Sequence, residues 1–165
     1  MNSAEQLKLM DFATPEAAFE KYADEVYRLA FVRTGSRSDS DDILQEVFLR
    51  YMRAWDKMQS EEHVKATLIR ITVNCSIGLL TSAWFKKTVP LDENIPTADE
   101  YGEGNVLGEV LKLPLKYRTV IHLYYYMGYS VEEIAELTKT NPSTVKTRLS
   151  RARGRLKKTL EAEDL

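Results

Sequence analysis

The side chains best suited to a chemical role lie in the stretch NPSTVKTRLSRARGRLKKTL, residues 141–160. This stretch contains no carboxylate but carries the cations Lys146, Arg148, Arg151, Arg153, Arg155, Lys157 and Lys158. The enrichment is local, because the whole chain has a formal net charge of −2. Guanidinium and ammonium groups at this density neutralise phosphates, so the stretch indicates polyanion binding.

On a helical wheel, at about 100° per residue, this stretch separates into two faces. An apolar arc, expected to face a core, contains Val145, Leu149, Ala152, Leu156 and Leu160. The opposite strip contains Thr147, Ser150, Arg151, Gly154 and Lys158. Cations flank the strip, with Lys146, Arg153 and Lys157 on one edge and Arg148 and Arg155 on the other. This arrangement suits a helix in a DNA major groove.

Recognition helices usually read bases with their first turns. We therefore predict that the base readers are Lys146, Thr147, Ser150 and Arg151, with Arg151 the first choice for a guanine. The predicted phosphate contacts are Thr144, Arg148, Arg153 and Arg155. Taken alone, such a helix is also typical of a solvated face, a membrane-surface segment or a target of an acidic protein.

The elements before the basic helix favour the DNA interpretation. Ser130 and Glu133 have the spacing of a capping box, and Val131, Ile134, Ala135 and Leu137 give the short helix a buried face. The polar turn TKTN follows, and Asn141 with Pro142 predicts the next helix start. A short helix, a tight turn and a longer basic helix form a helix-turn-helix. Before the helix-turn-helix, we expect a single helix from about Pro114 to Met127.

The amino-terminal part of the chain also predicts helices and no convincing strand. Thr14 and Pro15 begin one helix that ends at Gly35. Ser38 or Ser40 begins a second helix running to about Trp55, and Ser60 begins a third running to about Leu80 or beyond. Residues 89–105 hold prolines, glycines and acids without periodicity, which predicts a flexible acidic linker. The expected fold is all-α, with helical domains at 1–88 and 106–165.

The two halves differ in charge. Residues 1–105 carry 12 Lys and Arg against 18 Asp and Glu, a balance of −6. Residues 106–165 carry 11 against 7, a balance of +4. This asymmetry indicates two partners of opposite sign, with only the second half made for polyanions.

The second predicted helix carries a candidate protein-binding face. Its wheel leaves one leucine outward among polar groups: Asp42, Gln45, Glu46, Leu49 and Arg53. An apolar spot rimmed by charged and amide groups is typical of a small protein interface. An exposed leucine is also common on ordinary surfaces, so both interpretations stay open at this point.

Several classes of function have little support in the sequence. The single Cys75 and the separated His63 and His122 do not suggest a metal site, and no nucleophile and base pair, phosphate loop or carboxylate dyad indicates an enzyme. We expect no cofactor and no small-molecule substrate. Without a long apolar run or a secretory signal, we expect no membrane insertion and a cytoplasmic location.

We interpret the tyrosines before the short helix as core residues, together with His122 and Cys75: Tyr124, Tyr125, Tyr126 and Tyr129.

Several segments together resemble bacterial sigma factors of the extracytoplasmic-function (ECF) type. YRTVIHLYYYMGYSVEEIAELTKTNPSTVKTRLSRARGRLKK is similar to their carboxy-terminal DNA-binding region 4, and SDSDDILQEVFLRYMRAWDKM to their core-binding region 2. HVKATLIRITVNCSIGLLTSAWFKKTVPLDE continues the second similarity to the linker. The resemblance implies a polymerase subunit that selects promoters without doing chemistry itself.

The resemblance also implies partners and roles. Core RNA polymerase would bind Asp42, Gln45, Glu46, Leu49 and Arg53, promoter DNA would bind both domains, and an anti-sigma factor is a further expected partner. Downstream-element candidates are Met58 and Gln59, in the loop where the family captures a flipped base, with Asn74, Trp84, Lys86 and Lys87. Trp84 and Phe85 are preferred as core residues.

The third helix departs from the family pattern at Thr67, Gly78 and Thr81, where a tryptophan, a carboxylate and a basic residue are common. We expect weak promoter melting, and a bend or early end at Gly78. A helix-turn-helix regulator acting without polymerase and a protein-binding helical adaptor are the alternatives.

Overall fold

A computed structural model of the chain describes residues 11–85 and 106–163, without the side chains of residues 79–85, 160, 162 and 163. The chain divides into two compact units, Met1–Thr88 and Val89–Leu165. The described ranges contain no strand, so the predicted all-α fold is confirmed. The predicted linker, residues 89–105, lies outside the described residues.

The first unit contains helices α1 (Pro15–Thr34), α2 (Arg37–Tyr51) and α3 (Glu61–Phe85), with a 3₁₀ turn at Trp55–Lys57. The predicted bounds of α1 are confirmed. The Thr14 hydroxyl accepts a hydrogen bond from the Ala17 amide at 3.3 Å. Gly35 ends the helix with φ of 66°, a left-handed conformation that glycine adopts without a Cβ clash.

Helix α2 is displaced from its predicted bounds. Its cap is Ser36, whose hydroxyl accepts from the Asp39 amide at 3.2 Å, and not Ser38 or Ser40. Ser40 instead lies inside the helix, where it is buried and its hydroxyl donates to the Ser36 carbonyl at 2.6 Å. The helix ends at Tyr51 rather than Trp55, since Trp55 packs against the core from the separate 3₁₀ turn.

Helix α3 begins as predicted, with the Ser60 hydroxyl accepting from the His63 amide at 3.0 Å. It continues past Gly78 to Phe85, so the expectation of an early end at this glycine is wrong. A mid-helix glycine costs only about 1 kcal/mol relative to alanine. The packed turns before it, with Leu68, Val73 and Ser76 buried, anchor the helix.

Helices α1, α2 and α3 pack pairwise around one apolar core. Val26, Val47, Leu68 and Tyr51 are inaccessible to solvent. The Tyr51 hydroxyl donates to the Ala13 carbonyl at 2.5 Å. Burial raises the pKa of Tyr51 to about 12, because the ionised phenolate would lose its hydration there.

The second unit contains α4 (Val106–Leu111), α5 (Leu115–Ile121), a π-helical segment (His122–Tyr126), α6 (Val131–Leu137) and α7 (Pro142–Glu163). The single helix expected from Pro114 to Met127 is therefore a short α-helix followed by a wider π turn. The Met127 amide donates to the His122 carbonyl at 3.1 Å, which is the i→i+5 spacing of a π-helix. None of the described helices is long and apolar enough to cross a membrane.

Helices α6 and α7 form the predicted helix-turn-helix. The Ser130–Glu133 capping box at the start of α6 is present in both directions. The turn after α6 is left-handed at Lys139, with φ of 55°, and the Thr140 amide reaches the Ala135 carbonyl at 2.9 Å. The Asn141 side chain then caps α7 by accepting from the Thr144 amide at 2.8 Å. These local bonds fix where the basic helix begins.

Candidate nucleic-acid and protein interfaces

The inner face of α7 is buried as the wheel predicts up to Leu156, and the side chain of Leu160 lies outside the described residues. Val145, Leu149 and Ala152 are at most 2% exposed, and Leu156 is half-buried. Both α5 and α6 pack against this helix, and Ile134 and Leu137 of α6 are buried. Burial of this arc holds α7 in one rotational setting about its axis, and thereby selects which side chains meet solvent.

The outer face of α7 presents the predicted DNA contacts. All four predicted base readers are exposed: Lys146, Thr147, Ser150 and Arg151. Of the predicted phosphate contacts, Arg153 and Arg155 are exposed, whereas Thr144 and Arg148 are half-buried. The strip is thus available to a ligand along about two helical turns, and the assignment of individual DNA contacts stays a prediction.

Tyr117 of α5 supports the arginines on one side of this strip. The Arg155 guanidinium carbon Cζ lies 4.9 Å from the Tyr117 ring centroid. The Arg151 side chain also interacts with Tyr117, and this interaction lowers the pKa of Tyr117, with smaller contributions from the charges of Lys116, Arg151 and Arg155. Two predicted DNA contacts, one to bases and one to a phosphate, therefore share a single aromatic support.

The tyrosines of the π segment do not all lie in the core. Tyr125 and Tyr126 are 55% and 45% exposed, so their assignment to the core is wrong, while Tyr124 and Tyr129 are half-buried. His122 is buried as predicted and stacks on Tyr126, with ring centroids 5.5 Å apart. Tyr124, Tyr125 and Tyr126 are consecutive in the π segment, so they point in different directions and do not share one buried face.

All residues of the predicted protein-binding face are exposed, and Arg53 lies in the turn just after α2 ends at Tyr51: Asp42, Gln45, Glu46, Leu49 and Arg53. Leu49 is 57% exposed. The Glu46 carboxylate already accepts a hydrogen bond from the Arg50 Nε at 2.9 Å. Met52, 56% exposed and three positions beyond Leu49, adds apolar surface that the wheel did not assign. We call this set, with Arg50 and Met52, the α2 patch.

The downstream-element candidates are only partly described. Met58 is partly buried and packs against the core of the first unit. Gln59 is exposed, and its backbone N–H donates to the His63 Nδ1 at 3.2 Å, which orders the loop. Asn74 is exposed on α3. The Trp84 side chain, Lys86 and Lys87 lie outside the described residues.

The described residues offer neither a metal-binding cluster nor an exposed thiol. Within residues 11–85 and 106–163, no group of three or more His, Cys, Asp or Glu side chains could hold a metal ion. Cys75 is buried, and burial raises the pKa of its thiol, which disfavours the reactive thiolate.

Comparison with known families assigns both units. Residues 18–85 match the family model "Sigma-70 region 2", and residues 104–156 match "Sigma-70, region 4". The first match contains the α2 patch, and the second contains α5, α6 and most of α7.

Two curated relatives match most of the chain. The RNA polymerase sigma factor SigV of Bacillus subtilis is 32% identical over 149 residues, which cover 87% of this chain and 89% of SigV. The ECF RNA polymerase sigma factor SigW of the same organism is 30% identical over 158 residues, with 84% of each chain covered.

A solved structure shows the same fold. The sigma factor RpoE of Bartonella quintana, in complex with the anti-sigma factor NepR, superposes with a TM-score of 0.76 at 20% identity. The match covers 87% of this chain and 94% of that one.

Proposed function

The chain belongs to the sigma-70 family as an ECF-type RNA polymerase sigma factor, and from this premise we propose how its residues divide the work. As a sigma factor, it binds core RNA polymerase and directs transcription initiation at specific promoters. The observation that carries the proposal is the pairing of two unlike exposed faces on two separate units. One is the α2 patch, and the other is the outer strip of α7.

The outer strip of α7 reads the upstream promoter element. Thr147 and Ser150 are exposed hydroxyl side chains in the middle of the strip, and Arg151 beside them suits the paired acceptors of a guanine. Lys146 completes the base-reading set. Arg148, Arg153, Arg155 and the Thr144 hydroxyl contact phosphates on the two sides of the groove.

The α2 patch binds core RNA polymerase. Leu49 and Met52 supply the apolar centre, and Asp42, Gln45, Glu46 and Arg53 supply the polar rim. The acidic groups favour a basic partner surface. The Glu46–Arg50 pair is about half exposed, so its exchange for an intermolecular pair costs little.

Downstream-element binding belongs to the first unit. Gln59, in the loop before α3, and exposed Asn74 on α3 supply polar contacts to a separated strand. The other proposed contacts to this strand are Met58, Trp84, Lys86 and Lys87. The scarcity of cations between Thr67 and Thr81 predicts weak melting, and therefore a narrow choice of promoters.

The chain acts by recruitment and not by catalysis. Its place of action is the cytoplasm, where its polymerase partner transcribes DNA. The Bartonella relative is bound to an anti-sigma factor, and an anti-sigma factor for this chain stays a prediction.

Reconstitution of the holoenzyme tests this function. Purified chain is added to core RNA polymerase, and a library of genomic fragments is transcribed with and without it. We expect a stable complex with core and transcripts that start at a common sequence. Absence of any complex with core would refute the proposal. Specific binding to an operator without polymerase would instead support a simple helix-turn-helix regulator.

A further inference from the structure

Arg153, on the outer face of α7, is held by two tyrosines of the π segment. Its Nε donates a hydrogen bond to the Tyr125 hydroxyl at 2.5 Å. Its Cζ lies 5.5 Å from the Tyr125 ring centroid and 5.6 Å from that of Tyr124. The two side chains are 28 positions apart in sequence, so the contact comes from the tertiary structure and not from a local turn.

Both tyrosines belong to the π segment, His122–Tyr126. Tyr124 and Tyr125 are consecutive, and their rings meet edge to face with centroids 4.9 Å apart. Both rings nevertheless approach one guanidinium group. Tyr125 is 55% exposed, so it contributes little to the core of the second unit. Its position is better explained by the arginine than by packing.

The contact has a specific effect on the guanidinium group. An exposed arginine normally samples many rotamers, and that freedom is lost when the side chain binds a ligand. Here the Nε–H is already engaged by Tyr125, and the ring faces favour the cation. The N–H groups of the two terminal nitrogens, Nη1 and Nη2, stay available to donate hydrogen bonds to phosphate oxygens.

We propose that Tyr125 is a positioning residue that holds Arg153 ready for a DNA phosphate. The inference rests on the proposed function, in which Arg153 contacts the phosphate backbone beside the upstream element. It adds that the edge of the recognition surface is built by the π segment, outside the helix-turn-helix itself. Tyr125 acts on the arginine and does not touch DNA.

Holoenzyme binding to promoter DNA, measured over a range of salt concentrations, tests the proposal. Tyr125→Phe removes the hydroxyl and keeps the ring, whereas Tyr125→Leu removes both. We expect about a threefold loss of affinity for the first and a larger loss for the second, in line with one weakened contact to a charged group. The salt slope should stay unchanged, because Arg153 still reaches the phosphate.

Arg153→Ala should weaken binding and reduce the salt slope by about 1, since one phosphate contact is lost. The Tyr125→Phe, Arg153→Ala double variant should bind no more weakly than Arg153→Ala alone. Tyr126→Phe is the matched control: this neighbouring tyrosine is 45% exposed and keeps its ring on His122 after the change. It should bind like the unmodified protein.

The other possible results contradict the positioning role, the phosphate assignment or the sigma function itself. Normal binding by Tyr125→Phe together with weak binding by Arg153→Ala overturns the positioning role and leaves the sigma function intact. A further loss in the double variant also overturns it, because Tyr125 then contacts DNA itself. Normal binding by Arg153→Ala refutes the phosphate assignment that the inference needs. If the holoenzyme with the unmodified chain does not bind any promoter, the proposed function itself is refuted.

Discussion

The guanidinium of Arg155 lies over the ring of Tyr117, with 4.9 Å between its Cζ and the ring centroid. Tyr117 is buried in the second unit, and its side chain also interacts with Arg151. The core of the second unit therefore extends directly into the surface proposed to read DNA. A change in the packing of α5 is expected to disturb DNA contacts without altering α7.

Replacement of Arg151 should change promoter choice more than affinity for DNA in general. Arg151→Ala removes the proposed guanine contact, which is worth about 1–3 kcal/mol of discrimination. Arg155→Ala and Arg148→Ala should instead weaken binding by similar factors on every promoter and lower the salt slope by about 1. Holoenzyme binding to promoters altered at single upstream positions measures both effects. Equal losses for all three variants on every sequence would contradict the groove assignment.

Truncation of Leu49 should weaken binding to core RNA polymerase. Leu49→Ala removes the centre of the α2 patch, and we expect a loss of about 1–2 kcal/mol, or roughly tenfold in affinity. Ile77→Ala is the matched control, because Ile77 is an aliphatic side chain of the same unit with 51% exposure. Fluorescence titration of labelled chain with core measures both variants. Equal effects of the two changes would show that Leu49 has no special role.

The substitution Gly78→Ala should stabilise the first unit, whereas Gly35→Ala should destabilise it. A Cβ at Gly78 meets nothing within 4 Å, and alanine in a helix interior gains about 1 kcal/mol over glycine. Gly35 has φ of 66°, where alanine is strained by about 1 kcal/mol. Both tryptophans of the chain, Trp55 and Trp84, lie in this unit, so tryptophan fluorescence during urea unfolding reports its stability. The two variants should shift the midpoint in opposite directions.

The first unit should lose stability at alkaline pH because of Tyr51. Its pKa is raised to about 12 when folded, against a value near 10 in the unfolded chain. Folding favours the neutral phenol of Tyr51. Its contribution to the free energy of unfolding is therefore complete below pH ~10 and is lost as the pH rises through about 12. Urea unfolding followed by tryptophan fluorescence should show a falling free energy of unfolding above pH ~10.

Tyr51→Phe should be less stable than the unmodified protein at pH 8, since the hydrogen bond to the Ala13 carbonyl is lost. Its stability should fall less steeply between pH 10 and 11. A parallel decline of both proteins would assign the pH dependence to other groups.

Local sequence patterns determined the helices and the chemistry of the two faces. Thr14, Ser130 and Asn141 cap helices as their side-chain chemistry predicts, because capping involves only residues within the first turn. Regular spacing of apolar residues also predicted that Leu49 and Arg151 face solvent. The predictions for Leu49 and Arg151 depend on the helical period of 3.6 residues per turn, which holds along α2 and α7.

Only the tertiary structure decided the details that break this period or join distant residues. Tyr125 and Tyr126, in the π segment His122–Tyr126, reach solvent instead of the core. The support of Arg153 by Tyr125 and of Arg155 by Tyr117 joins elements far apart in sequence. Such contacts depend on how helices pack against one another, and no repeat within a single helix encodes that information.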